Sequence, residues 1–232
     1  MTDLDTTRFR PTSYHRGEDT RRRILDTAIE VFAAVGYEAA STRALAERAG
    51  VNLPAIPYYF GSKEGLYRAA IEQIVREIDR RMAPVAERVG AALAEGEPAR
   101  KELLALLHEM LDAFVALVVG GAHLESRRLL FARSEIERTG SLEPLHEVGL
   151  RRVFAPCRAL VARLLEREAE DDATVLRTLT ILGQVSIFCN SGPRRVLGCS
   201  DFSEEHMRAI QRLVREQTEA IFRVKIKIGA KP

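Results

Sequence analysis

The sequence predicts an all-α fold: a small N-terminal helical unit joined to a larger helical domain, about nine helices in all. Three observations carry that prediction. Apolar residues recur at steps of three and four along most of the chain, the spacing of one helix face. Alternation of the strand kind occurs only at Val224, Ile226 and Ile228, in a basic tail expected to be mobile. Glycine- and proline-bearing breaks separate the periodic stretches at helix-like intervals. With 46% hydrophobic and 29% charged residues in 232, the composition is that of a folded globular chain.

Residues 18–35 place Ile24, Leu25, Ala28, Val31, Phe32 and Val35 on one face, and Gly36 supplies a C-terminal stop. A short helix follows over Thr42–Ala49, with Leu45, Ala46 and Ala49 inward and either Ser41 or Thr42 as its cap. Gly50 sits where a tight turn needs positive φ. A third short element runs from Leu53 to Tyr59 and is closed by Phe60 and Gly61. Ser62 caps a long fourth helix whose face is Tyr67, Ile71, Ile74, Ile78 and Met82, ended by Gly96–Pro98. Further helices are expected at 98–119, 123–139, 142–168, 172–190 and 203–222, with breaks at Gly120–Gly121, Gly140–Ser141, Glu170–Asp172 and Ser191–Ser200. The resulting organisation is a basic arm at 1–17, a first domain at 18–67, a second at 68–222 and a tail at 223–232.

The two short helices flanking Gly50 form a helix-turn-helix candidate, in which the second helix must show an exposed face to the DNA major groove while the first braces it. By spacing alone, a mere helical corner fits equally well. Net charge is only +2, so global charge does not announce nucleic acid. Locally, Arg8, Arg10, Arg16, Arg21, Arg22 and Arg23 outnumber Glu18 and Asp19, a surplus suited to phosphate contacts but also to a solvated terminus.

The run Thr42-Arg-Ala-Leu-Ala-Glu-Arg-Ala-Gly-Val-Asn52, followed by Tyr58-Tyr-Phe-Gly-Ser-Lys-Glu-Gly-Leu66, closely resembles the DNA-binding domain of the TetR family of transcriptional regulators. Leu182-Gly-Gln-Val-Ser-Ile-Phe188, Arg194-Arg-Val-Leu-Gly198 and Glu143-Pro-Leu-His146 are similar to the C-terminal domain of CecR-like members of that family. The resemblance implies a homodimer on a palindromic double-stranded operator, repressing transcription until a small-molecule effector binds. It implies phosphate contacts from Arg21, Thr42, Lys63 and one of Tyr58 and Tyr59, the other packing inward, and a phosphate or base contact from Arg43. Leu53, Pro54, Ala55, Ile56 and Pro57 lie on or beside the recognition helix, whereas Leu45, Ala46 and Phe60 read as core.

Pro54 suits a helix's first turn. Pro57, about one turn in, is expected to delete a backbone bond and crowd the carbonyl of Leu53, giving a short recognition helix with a 3₁₀ start. Its apolar side chains favour thymine-methyl contacts and shape readout over hydrogen bonding.

By the same resemblance, the second domain is expected to hold the dimer contacts, on 172–190 and 203–222 with a contribution from 142–168, and an apolar effector cavity. Candidate lining residues are His108, Phe114, His123, Arg127, Phe131, Gln184, Phe188 and Asn190; singly, each also reads as ordinary packing. No GxSxG, P-loop, HExxH or GxGxxG occurs, so neither an enzyme nor a cofactor is expected. Cys157, Cys189 and Cys199 match no zinc spacing, and a redox- or metal-responsive regulator is the competing reading. Leu103–Val119 carries His108, Glu109 and Asp112, which reads as a buried helix rather than a membrane span. With no signal-peptide pattern at the N-terminus, a cytoplasmic location is expected.

Overall fold

The computed structural model describes residues 13–120, 125–136 and 143–223. Most of the expected basic arm, His123 and the alternating tail lie outside them. The described residues form ten α-helices and no strand. The chain divides into two units, Met1–Ala70 and Ile71–Pro232.

The first unit holds α1 (Ser13–Ala39), α2 (Thr42–Arg48), α3 (Ala55–Phe60) and the start of α4 (Lys63–Ala94). α1 buries Ile24, Leu25, Ala28, Ile29, Phe32 and Ala33. Val35, expected inward, is 48% exposed. It precedes Gly36, whose φ of 83° and ψ of 172° breaks the helix, so the apolar stripe ends one turn earlier than the sequence period suggests. Phe32 meets Tyr67 of α4 edge-on at 4.9 Å, an aromatic pair that contributes about 0.5–1.5 kcal/mol beyond its buried area.

Ser41 takes the cap of α2: its backbone is extended and its Oγ accepts the Ala44 N–H at 3.1 Å. At the other end Gly50, with φ 63°, donates to the Glu47 carbonyl while Val51 donates to Ala46, the paired bonds of a Schellman turn. α3 begins through two i→i−3 bonds, Ala55 to Asn52 at 3.0 Å and Ile56 to Leu53 at 3.3 Å. Pro57 is the third residue of α3, not a residue one turn in. The first N–H groups of a helix have no intrahelical partner, so both prolines fit without deleting a needed bond. Ser62 then accepts the Gly65 N–H at 3.0 Å. Gly65 is required sterically, because a Cβ there would lie 2.0 Å from the Phe60 carbonyl oxygen.

The second unit comprises the rest of α4 with α5 (Arg100–Val119), α6 (Glu125–Ile136), α7 (Glu143–Leu165), α8 (Asp172–Ser186), a 3₁₀ turn (Ile187–Cys189), α9 (Ser191–Leu197) and α10 (Glu204–Arg223). α5 is central. Its Leu107, Met110, Leu111 and Val115 are fully buried, and it packs against α7, α8 and α10. Arg100 ties two helix ends together, donating to the carbonyls of Leu164 at 3.0 Å and Phe222 at 2.9 Å, where helix dipoles favour a cation. The stretch 191–200, expected to be a break, contains α9 instead. Gly192 and Pro193 both occupy its first turn, where they are tolerated, and Gly198 with φ 66° closes it. α8 correspondingly ends at Ser186 rather than at 190.

Candidate functional site

α2, the Gly50 turn and α3 form the helix-turn-helix candidate, braced on α1 by an Arg48–Glu30 pair at 3.4 Å. The outward face of α3 and its approach are apolar: Leu53 is 49% exposed and Tyr58 81%, with Pro54 and Pro57 also exposed and Ala55 half-buried. Ile56 is a correction. Sequence reasoning put it among the DNA contacts, but it is fully buried as the one inward anchor of α3, so it cannot touch a ligand. Tyr58 and Tyr59 stack edge-on at 4.9 Å, with Tyr59 half-buried. The Tyr59 hydroxyl lies 3.7 Å from the position of a Cβ on Gly17, which leaves Tyr58 as the tyrosine with an open phenol.

The cations around this face are held differently from one another. The Arg21 guanidinium stands 5.1 Å from the Phe60 ring centre. Lys63 donates to the Glu38 carbonyl at 3.2 Å and lies 4.5 Å from the Tyr37 ring, so its ammonium is held in place. An ammonium has three donors, and this arrangement leaves capacity for a further acceptor. Burial, then Glu64 and Glu38, raise the Tyr37 phenol above its usual pKa, keeping it neutral beside Lys63. Arg43 is exposed, and Thr42 opens α2 with its hydroxyl released from capping by Ser41. Sequence reasoning missed Gly65; the close approach to Phe60 that requires it has no periodic signature.

The expected effector residues do not converge. His108 of α5 faces Glu219 of α10 at 4.0 Å. Phe188 instead packs edge-on to Phe202 at 5.8 Å, and Phe202 on to His206. His206 and Glu219 are thirteen residues apart on α10, about 20 Å along the axis at 1.5 Å per residue. Phe114 is a partly buried member of the core, the Phe131 carbonyl accepts from Ser134, and Asn190 is exposed at the start of α9. Gln184 Oε1 is buried without a hydrogen-bond partner among the described residues, and Arg127 is half-buried. A cleft of about 840 Å³ lies elsewhere, lined by Leu93, Pro98, Arg100, Leu103 and Leu164 among others, and includes none of these residues.

Burial pushes the Cys157 thiol up to about 12, so this core cysteine is inert at physiological pH. Cys189 and Cys199 are half-exposed. Among the described residues, no group of three His, Cys, Asp or Glu side chains is placed to hold a metal ion. No described helix is long and apolar enough to cross a membrane.

Residues 24–70 match the family described as bacterial regulatory proteins, tetR family. Residues 99–223, more than half of the chain, match the C-terminal domain of the HTH-type transcriptional dual regulator CecR. The CecR protein of Shigella flexneri is 27% identical over 202 residues, covering 86% of this chain and 89% of that protein. Among solved structures, a TetR-like regulator from Rhodococcus sp. RHA1 has a TM-score of 0.61 at 17% identity, covering 89% of this chain and 97% of that one. The regulator FadR of Bacillus subtilis, solved with stearoyl-CoA, has a TM-score of 0.55 at 19% identity, covering 85% of this chain and 96% of its own. The paired short helices with their apolar outward face thus sit inside a sequence match that spans both units, and the chain belongs to the TetR family of transcriptional regulators.

Proposed function

We propose that this protein is a repressor that grips a palindromic operator as a homodimer and lets go when a small molecule binds its second unit. The observation that carries the DNA half is the orientation of α3: Ile56 inward, with Leu53, Pro57 and Tyr58 outward on an apolar head. Such a head reads thymine methyls and groove shape, while affinity rests on Arg21, Thr42, Arg43, Tyr58 and Lys63 at the phosphates. One helix of six residues covers too few base pairs for useful specificity, which favours paired half-sites roughly 34 Å apart.

The dimer contact is best supported on α8 and α10, where Leu176 (58%), Leu179 (52%) and Leu213 (54%) are exposed. Apolar side chains repeated along one helix face are what a self-complementary interface needs. Release by an effector is a population shift toward a conformation with mis-spaced reading heads. Genomic footprinting with purified protein identifies the operator, and fluorescence anisotropy on it is the test. Lys63→Ala and Arg43→Ala should each weaken binding and lower the salt slope by about one. Unchanged slopes in both variants would remove these side chains from the interface.

A further inference from the structure

Among the described residues, the side chains of the second unit leave a cationic centre incomplete. Arg194 of α9 is 4% exposed and pairs through Nη2 with Glu125 of α6, yet its Nη1 is buried without a hydrogen-bond partner among the described residues. Arg128 lies one turn beyond Glu125 on the same face of α6, and its buried Nε and Nη1 also have no partner among the described residues. Both α6 and α9 pack against the 3₁₀ turn that carries Phe188. The Phe202 ring, edge-on to Phe188, lies 5.8 Å from the Arg194 guanidinium. Two guanidinium charges therefore share one committed carboxylate. Cys189 and Asp201 also act on Arg128; Cys189 is half-buried and Asp201 is exposed at the edge.

A guanidinium cannot shed its proton to escape burial, so three unbonded donors in this setting call for an acceptor. A water molecule satisfies a donor but leaves the surplus charge. A carboxylate satisfies both, and fits the planar fork of arginine. We propose that Arg128 and Arg194 bind the carboxylate of an organic acid whose apolar body lies against Phe188 and Phe202. This names the chemical class of the effector and rests on the ligand-released reading above.

The test uses the full-length protein melted in sodium benzoate, octanoate or acetate, against sodium chloride at matched ionic strength. Benzoate or octanoate at saturation should raise the melting temperature of the wild type by roughly 4 °C, with acetate giving less. Arg128→Met should lose that shift while melting no lower than the wild type, because it removes a half-buried charge whose Nε and Nη1 are unbonded among the described residues. Three results overturn the proposal: no carboxylate-specific shift in the wild type, an equal shift in Arg128→Met, or a variant that melts several degrees lower and so reveals a structural arginine. Operator anisotropy on the same samples separates the two readings. An Arg128-dependent shift that leaves operator binding intact supports the carboxylate site and counts against release by it.

Discussion

Ile56 and Tyr58 are two residues apart in α3 and have opposite fates, one fully buried and one 81% exposed. Ile56→Ala should destabilise the first unit by about 2–5 kcal/mol, read as a drop in its urea midpoint. Tyr58→Ala should leave that midpoint within about 0.5 kcal/mol of wild type yet weaken operator binding on the order of tenfold. A loss of stability in the Tyr58 variant would contradict its outward placement. The sequence did not separate these roles, because six residues make less than two turns and define no hydrophobic stripe. Positions with local chemistry were more legible. Gly50 was readable from the turn it had to make, and Ser41 was one of two capping candidates. Cys189 and Cys199 should react with iodoacetamide in the native state, and Cys157 should not until the protein unfolds.

Among the elements, long helices were read correctly from period and breakers, since α5 and α10 each bury a repeating face over 20 residues. Short helices were read less well. The stretch 191–200, read as a break, holds α9 with Pro193 in its first turn. The short recognition helix with its 3₁₀ start was expected, but Pro57 likewise falls in the first turn, where the missing N–H is no loss. Pro57→Ala should therefore leave α3 at the same length and lower stability only by about 0.4–1 kcal/mol, through a more flexible unfolded chain. Circular dichroism with urea melts checks both. The packing of α5 on α10 has its own signature at His108. Burial lowers the imidazole pKa below its ordinary 6.5, with Arg215 acting in the same direction and Glu219 and Asp112 opposing. The unfolded chain thus takes up the proton first, and this contribution favours unfolding as pH falls through 6.5. The change in urea midpoint between pH 7.5 and pH 5.5 (about one unit either side of an ordinary histidine) should be smaller in His108→Gln.

For the molecule as a whole, family and fold class were visible in the sequence because the Tyr58–Leu66 run and the helical period are both local patterns. A ligand site is not legible in the same way, since a pocket is made by residues distant in sequence. Arg127 was singled out in sequence, whereas the carboxylate site proposed above rests on its neighbour Arg128 and on Arg194, in a stretch read as a break. Assembly is tested at this scale. Leu176→Glu combined with Leu179→Glu should sediment as a monomer and lose operator binding, with helicity retained; a dimer in that variant would move the interface elsewhere.

The fixing of α3 by one buried side chain also bears on how easily such a regulator could be retargeted. Leu53, Pro54, Pro57 and Tyr58 are exposed, so a library randomised at these four positions explores new operator sequences with little burden on folding. Ile56, Gly61 and Gly65 must stay fixed, because they hold the helix in place and close the turn behind it. Regulators drawn from such a library would keep the same second unit unchanged.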